Sequence, residues 1–329
     1  MNYLVVGDTH FTDNEVDSYR WRIFDTIKSI IAKYKIKRLI QVGDLVDRKD
    51  KHPSNLVNRL VDELYALQEE SKVEISIISG NHDKPVDGPY FWEFLNEIGI
   101  EYITKPTYDI DCDVWLLPYT HSPIEDWKEL DFSKAKAFFI HQTVSGVVVE
   151  DDRVLQTGCK LPFSDSSIVF SGDVHRPQKI GNIIYVGTPH PVKFSEVWAN
   201  RVIVVKNDDF ANYEDIWIDT TRRAILNIKS IEELKTLNFS SGDQVRVRFQ
   251  LDSTNFSSWA VEEGIIRQWA EKAGVKLASV EATLAATNQD RSGFDTSTVE
   301  EVIRTFGKEE KLDESIVEWG VYLANTMRD

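Results

Sequence analysis

The first hundred residues alternate between short apolar runs and longer stretches with helical periodicity, and this alternation constrains the fold more than any other feature. Apolar runs over Tyr3–Gly7, Arg38–Val42 and Val73–Ser79 predict buried strands. Spaced isoleucines over Arg20–Tyr34 and spaced leucines over Asn55–Glu70 predict the helices between them. A β-α-β-α-β series favours a parallel or mixed sheet that carries helices on its faces.

The following part of the chain is rich in short strands. Its six apolar runs are Val114–Leu117, Ala137–Ile140, Ile168–Phe170, Ile183–Val186, Val202–Val205 and Ile216–Ile218. Together with the alternating part, they predict an α/β fold of two stacked mixed sheets flanked by helices over residues 1–220. Residues 221–288 predict a small α+β capping domain, and residues 289–329 predict a linker and C-terminal helices.

The composition is that of a soluble globular chain, and its acidity limits the possible partners. Of 329 residues 42% are hydrophobic and 28% charged, and no apolar run approaches the roughly 20 residues that span a bilayer. The sequence shows no signal-peptide pattern, and Cys112 and Cys159 are too few for a disulfide framework, so a cytoplasmic setting is expected. A net charge of −16 suits nucleic acid poorly unless metal ions, a local basic patch or a partner supply positive charge.

Residue types that bind metals follow the predicted strands at five places. These are Asp8-Thr9-His10, Gly43-Asp44 with Asp47-Arg48, Gly80-Asn81-His82-Asp83, His141, and Gly172-Asp173-Val174-His175. Ligands bind beyond the carboxyl ends of strands in open α/β sheets, so these residues are expected to converge. Carboxylates, imidazoles and an amide oxygen suit a divalent ion such as manganese. A two-metal site needs one bridging carboxylate, and Asp44 is the natural choice.

The ordered set Asp-x-His, Gly-Asp-x-x-Asp-Arg, Gly-Asn-His-Asp, a lone His and Gly-x-x-His resembles the calcineurin-like metallophosphoesterases. Within that superfamily, Gly172–Gln178 followed by Tyr185–Phe194 resembles the SbcD-type DNA repair exonucleases, as does Ile140–Gly146. The resemblance covers about residues 1–200 well.

The resemblance implies a set of site residues. One metal ion would be held by Asp8, His10, Asp44 and His175, and the other by Asp44, Asn81, His141 and Asp173. His82 would protonate the leaving oxygen or stabilise the transition state, and Asp83 would orient it. Arg48 would contact phosphate, as in the protein phosphatases of the superfamily. The family usually has histidine where Asp173 stands, and this third carboxylate predicts Mn²⁺ dependence, or Mg²⁺ dependence, with a raised pH optimum.

The implied function is that of a two-metal DNA nuclease in repair or recombination. It would be a 3′-to-5′ exonuclease on duplex ends and an endonuclease on single strands, acting beside an SbcC-like coiled-coil ATPase. The stripe Tyr90, Phe91, Trp92 and Phe94 is a candidate homodimer interface, and residues 291–329 are a candidate docking segment for the ATPase. No membrane is expected among the partners.

Two other functions stay open. The Asp47-Arg48 pair favours a phosphoesterase that acts on phosphoproteins or small phosphodiesters, whereas a chain without metal would be a non-catalytic scaffold. A basic rim would hold a phosphate backbone, and its members are Arg48, Lys49, Lys51, Lys84, Arg176, Lys179 and Lys193. His52 and His121 are expected in loops or on the surface, and the sequence leaves open whether His190 faces the site.

Overall fold

A computed structural model describes residues 1–85, 88–164, 166–251 and 258–284, together with seven positions between 303 and 321. The chain divides into one unit over Met1–Thr283 and a second over Leu284–Asp329. The seven described positions between 303 and 321 are helical. The predicted linker and most of the predicted C-terminal helices lie outside the described residues, and the predicted domain boundaries stay predictions.

The first sheet consists of six strands. They are β1 (Tyr3–Val6), β2 (Arg38–Gln41), β3 (Glu74–Ile78), β4 (Glu101–Ile103), β11 (Asn200–Val205) and β12 (Tyr213–Ile218). Their order is β12-β11-β1-β2-β3-β4, with β1 to β4 parallel and β11 antiparallel to both of its neighbours. Four parallel strands therefore end at one edge of this sheet.

Amphipathic helices α1 (Ile23–Tyr34) and α2 (Ser54–Ser71) pack on the first sheet. Their apolar faces bury Ile27 and Ile31 of α1 and Leu60 of α2 in one core with the strands. α1 ends at the left-handed Lys35, and its predicted first turn belongs instead to a 3-10 helix over Glu15–Arg22.

The second sheet also has six strands. They are β5 (Thr107–Asp109), β6 (Val114–Leu117), β7 (Ala137–His141), β8 (Ile168–Gly172), β9 (Gln178–Ile180) and β10 (Ile183–Tyr185). In the order β5-β6-β7-β8-β10-β9, the four inner strands are parallel and the two edge strands antiparallel. A short helix α3 (Pro123–Asp126) lies between β6 and β7 in the sequence.

A buried apolar cluster joins the two sheets. Val5, Ile40 and Ile78 of the first sheet share it with Phe139 and Phe170 of the second, and all five side chains are completely buried. The prediction of two mixed sheets with flanking helices is confirmed.

A three-stranded sheet with its own core follows in the chain. Its strands are β13 (Arg223–Ile228), β14 (Gln244–Leu251) and β15 (Lys276–Leu284), in that order, and α4 (Trp259–Ala273) accompanies them. Val247 and Phe249 of β14 pack with Ile266 of α4, all of them buried. Within the described residues, no helix has both the length and the apolar character that a membrane span requires.

Candidate metal centre

The predicted ligands lie just beyond the ends of parallel strands from both sheets. They are Asp8 and His10 after β1, Asp44 after β2, Asn81 after β3, His141 at the end of β7, and Asp173 and His175 after β8. The joined sheets bring these strand ends together, so residues far apart in sequence form one cluster.

The first half of the cluster contains Asp8, His10, Asp44 and His175. Nε2 of His10 lies 3.1 Å from Nε2 of His175 and 3.4 Å from Oδ2 of Asp44. Asp8 and Asp44 of this half also lie close to His141, which belongs to the second half described below. One ligand atom from each of these three residues lies within 4.8 Å of the other two.

The second half contains Asp44, Asn81, His141 and Asp173. Nε2 of His141 lies 2.9 Å from Oδ1 of Asn81, 3.3 Å from Oδ1 of Asp44 and 3.7 Å from Oδ1 of Asp173. Asp44 thus contacts an imidazole in each half through a different carboxylate oxygen, which is the arrangement that a bridging ligand needs.

Burial and mutual proximity shift the pKa values of this cluster. Burial raises the pKa of Asp8 to about 6 and lowers that of His10 well below its usual range. Burial also opposes ionisation of Asp44, but the imidazoles around it outweigh burial and lower its pKa. For His141 the same burial is outweighed by Asp44 and the other carboxylates, which raise its pKa. The carboxylates therefore favour a positive charge among them.

The donor set fits divalent metal ions. Oδ2 of Asp8 is buried and has no hydrogen-bond partner within the described ranges. Oδ1 of Asn81 lies within 3.3 Å of carboxylate oxygens of Asp44 and Asp173. An amide would normally turn its NH₂ group toward such acceptors, whereas a cation between the oxygens would favour the orientation seen here. Oxygen and imidazole donors without thiolate suit hard or borderline ions. Bound ions at such a site polarise a phosphate oxygen and help a water molecule to ionise.

Three glycines leave room for the ligands. A Cβ atom on Gly43 would lie 2.1 Å from Nδ1 of His141, and one on Gly80 would lie 2.2 Å from Oδ1 of Asp44. A Cβ atom on Gly172 would approach the carbonyl oxygen of Val42 to 2.3 Å. Any side chain at these positions would displace a ligand or the backbone behind it.

Three ligands themselves adopt left-handed backbone conformations. The φ angles of His10, Asp44 and Asp173 are 44°, 54° and 73°. Such conformations are uncommon outside glycine, and they persist where the surrounding structure enforces them. Here they occur in the turns that follow β1, β2 and β8, where the ligands themselves are placed.

A second set of contacts orients the imidazoles and the third carboxylate. Nδ1 of His141 donates to the carbonyl oxygen of Val42 at 2.7 Å, which leaves Nε2 as the atom that faces the cluster. Nδ1 of His175 lies 2.5 Å from Oε1 of Glu196, and Oγ1 of Thr143 donates to Oδ2 of Asp173 at 2.5 Å. The sequence analysis assigned no role to Glu196, which lies outside the strand-end motifs, or to Thr143, which lies in the Ile140–Gly146 stretch but is not a typical metal ligand.

His82 lies at the edge of the cluster. Its backbone N–H donates to Oδ1 of Asp44 at 2.8 Å, and its ring stands edge-on to the His10 ring with centroids 4.9 Å apart. Its Nδ1 is 2.6 Å from the carbonyl oxygen of Asp47, to which it donates. One nitrogen of the ring, Nε2, is left for proton transfer.

That Asp83 orients His82 stays a prediction, and the structure gives the direct contacts of Asp83. The Asp83 carboxylate is buried and accepts from the backbone N–H groups of Gly80, Leu45 and Val46. It therefore fixes the two loops that carry Asn81 and Asp44, and burial raises its pKa to about 6.

The remaining predicted residues lie around the cluster. Arg48 is exposed, and within the described ranges it has no hydrogen bond or ion pair. Oδ1 of Asp47 lies 3.6 Å from Nδ1 of His10. His121 is exposed beside Tyr119, whereas His190 is completely buried and its Nε2 donates to the carbonyl oxygen of Thr9 at 2.8 Å. His190 therefore supports the loop after β1.

Comparison with known proteins identifies the class of this fold and site. The family described as Calcineurin-like phosphoesterase matches residues 1–177, more than half of the 329-residue chain. The chain belongs to this family, and it is a metal-dependent phosphoester hydrolase by membership. No curated protein matches the chain. Among solved structures, the nuclease MPE of Pseudomonas putida is similar, with 13% identity, a TM-score of 0.32, and coverage of 65% of this chain and 87% of that one.

Proposed function

We propose that this chain is a two-metal DNA nuclease of the SbcD type, acting in DNA repair or recombination in the cytoplasm. It would cleave duplex ends in the 3′-to-5′ direction and single strands internally. The observation that carries the proposal is the position of Asp44 between the two halves of the cluster. Each half contributes an imidazole that contacts Asp44, and His82 lies beside them. The likeness of Gly172–Gln178 and Tyr185–Phe194 to SbcD-type sequences favours DNA as the substrate.

The residues of the chain have separate roles in this proposal. Asp44 and its neighbours hold Mn²⁺, or Mg²⁺, and His82 gives a proton from Nε2 to the leaving oxygen. The Asp47 carbonyl holds the His82 ring in place through Nδ1. Asp83 keeps the loops of Asp44 and Asn81 at a fixed separation.

The basic rim supports binding of a phosphate backbone to an acidic protein. Arg48, Lys84 and Lys179 have no ion pair within the described part of the chain, whereas Arg176 and Lys193 pair with acids. Replacing Arg48 and Lys84 with glutamate is expected to weaken DNA binding and flatten its salt dependence. An unchanged salt slope would argue against this rim.

The test is a manganese-dependent cleavage assay on linear duplex DNA. The wild-type protein is expected to cleave with Mn²⁺ and not with chelator, and His82→Ala is expected to lower the rate about a hundredfold or more. His121→Ala, a surface histidine beside Tyr119, is the control and should cleave normally. Cleavage that does not depend on His82 would reject its role, and failure to cleave any DNA would reject the nuclease.

The proposed partners are an SbcC-like coiled-coil ATPase and a second copy of the chain. Phe91 and Phe94 expose 44% and 38% of their surface, whereas Trp92 is buried, so part of the stripe is free to form a dimer contact. Deletion of residues 291–329 is expected to abolish co-purification with the ATPase and to spare manganese-dependent cleavage. A Phe91→Ser, Phe94→Ser protein is expected to sediment as a monomer.

A second candidate is hydrolysis of phosphoproteins or small phosphodiesters. The observation that favours it is Arg48, which is exposed and has no ion pair among the described residues, because such an arginine is available to bind a phosphate with free oxygens. Bound metal with cleavage of nitrophenyl esters or phosphopeptides, but not of DNA, would support this candidate. A chain that binds no metal would instead be a scaffold.

A further inference from the structure

A cavity of about 270 Å³ opens directly beside the metal centre. Its wall includes Asp173 from one half of the cluster and His175 from the other. A phosphoester held at both halves therefore has this cavity next to one of its two ester groups. The volume is just below the range typical of sites for drug-sized molecules, so it suits one small unit of a substrate.

The cavity lining combines apolar and cationic side chains. Val149, Leu155 and Val174 provide aliphatic surface, and the half-buried indole of Trp198 provides a flat aromatic one. An aromatic face beside aliphatic groups suits a planar ring.

Three cations complete the lining: Arg153, Arg176 and Lys193. Arg176 pairs with the exposed Asp152 at 2.5 Å, and its guanidinium carbon lies 6.0 Å from the centre of the Trp198 ring. Arg153 has no ion pair within the described part of the chain. Exposed pairs such as Arg176–Asp152 are weak, so a phosphate can compete with the carboxylate for the guanidinium group.

Two chain segments that line the cavity are joined by hydrogen bonds. Nζ of Lys193 donates to Oε1 of Glu150 at 2.6 Å, and Oγ of Ser195 donates to Oε2 of the same residue at 3.0 Å. These contacts hold the segment that carries Val149 and Arg153 against the segment that carries Trp198. The cavity is thus shaped before any ligand arrives, which lowers the entropic cost of binding.

We propose that this cavity is a nucleotide subsite, in which a base stacks on Trp198 while Arg153 and Arg176 hold an adjoining phosphate. The inference rests on the proposed nuclease function and names the part of the substrate that this side of the site binds. A phosphoserine or phosphothreonine side chain would use the cations but not the stacking surface, and phosphotyrosine would offer one ring that is smaller than a purine base.

The test measures binding rather than turnover. Equilibrium dialysis of the full-length, Mn²⁺-loaded protein is carried out with deoxyadenosine 5′-monophosphate, with deoxyribose 5-phosphate and with phosphotyrosine. Deoxyadenosine monophosphate is expected to bind most tightly. Trp198→Leu is expected to weaken it at least about fivefold, and Trp198→Phe less. Arg153→Gln, a substitution at an exposed position, is expected to weaken it about two- to fivefold.

The control is Trp217→Leu, which removes an exposed tryptophan of β12 that does not line the cavity. Equal effects of Trp198→Leu and Trp217→Leu on nucleotide affinity would overturn the subsite, as would equal binding of deoxyribose 5-phosphate. Tighter, Trp198-dependent binding of phosphotyrosine would also overturn it. DNA cleavage measured in parallel separates the two ideas, because a chain that cleaves DNA without a Trp198 effect keeps the nuclease and loses only the subsite.

Discussion

Nδ1 of His175 lies 2.5 Å from Oε1 of Glu196, whose side chain is completely buried. The other carboxylate oxygen of Glu196 accepts from the backbone N–H of Val192 at 2.6 Å. A carboxylate in this position fixes the imidazole tautomer and directs Nε2 of His175 into the cluster that would hold the metal ions. That atom lies 3.1 Å from Nε2 of His10. Glu196 therefore acts on the metal centre without being a ligand.

Replacing Glu196 with glutamine should weaken metal binding. The loss of the carboxylate charge leaves His175 less basic and less firmly oriented, so Mn²⁺ affinity is expected to fall about 10- to 100-fold. Isothermal titration with Mn²⁺ measures the change. Glu214→Gln, which alters an exposed acid paired with Lys206, is the matched control. If both variants bind Mn²⁺ equally well, the orienting role of Glu196 is refuted.

The hydroxyl of Thr143 donates a hydrogen bond to Asp173, the third carboxylate among the predicted ligands. Thr143→Val removes this donor at nearly constant volume. Because a hydrogen bond to a charged group stabilises the position of the Asp173 carboxylate, its loss should lower Mn²⁺ affinity roughly tenfold. Thr143→Ser keeps the hydroxyl and should retain most of the affinity. Titration of both variants with Mn²⁺ decides the matter, and equal affinities would show that Asp173 needs no support from Thr143.

Gly80→Ala should destroy the centre although alanine is a small residue. Its Cβ atom would lie 2.2 Å from Oδ1 of Asp44, so that carboxylate must move. Metal content and DNA cleavage are both expected to be lost. Gly264→Ala on α4 has open space around it and should be neutral or stabilising by up to about 1 kcal/mol. Retention of metal by the Gly80 variant would show that the cluster is looser than described.

His190 should make the metal-free protein sensitive to acid. Burial lowers its pKa to about 3, so below pH 6.5 the unfolded chain binds a proton that the folded chain does not. The free energy of unfolding therefore falls as the pH falls from 6.5 toward 3. His190 alone is expected to lower it by about 2 kcal/mol between pH 7 and pH 5. Urea unfolding with chelator present, at both pH values, should show a smaller loss for His190→Gln. An identical loss in wild type and variant would exclude the effect.

Sequence patterns predicted most of the fold because strands and helices here follow simple periodicities. The isoleucines of α1 and the leucines of α2 face the core as expected. The three-residue strands β4, β5 and β9 and the short helix α3 escaped prediction, since such segments are too short to show a period. The 3-10 geometry of Glu15–Arg22 was also not visible, because its side chains do not follow a helical stripe.

Strand-end motifs predicted which side chains would meet, but not what would support them. Asp8, Asp44 and His141 converge because parallel strands share an edge. The contacts made by Glu196, Thr143 and the carbonyl oxygens of Val42 and Asp47 depend on how distant segments pack, which sequence patterns do not specify. The contact between Nδ1 of His82 and the carbonyl oxygen of Asp47 was likewise not predicted, since nearness in sequence pointed only to Asp83.

The central claim is that Asp44 joins two metal sites in one centre. The most direct measurement is the number of Mn²⁺ ions bound per chain at equilibrium, compared between the wild type and Asp44→Asn. The control is Asp113→Asn, which alters a surface acid paired with Lys136. Two ions per chain are predicted for the wild type and the control, and fewer than one for Asp44→Asn. A wild-type chain that binds fewer than two ions, or an Asp44→Asn chain that still binds two, would contradict the account.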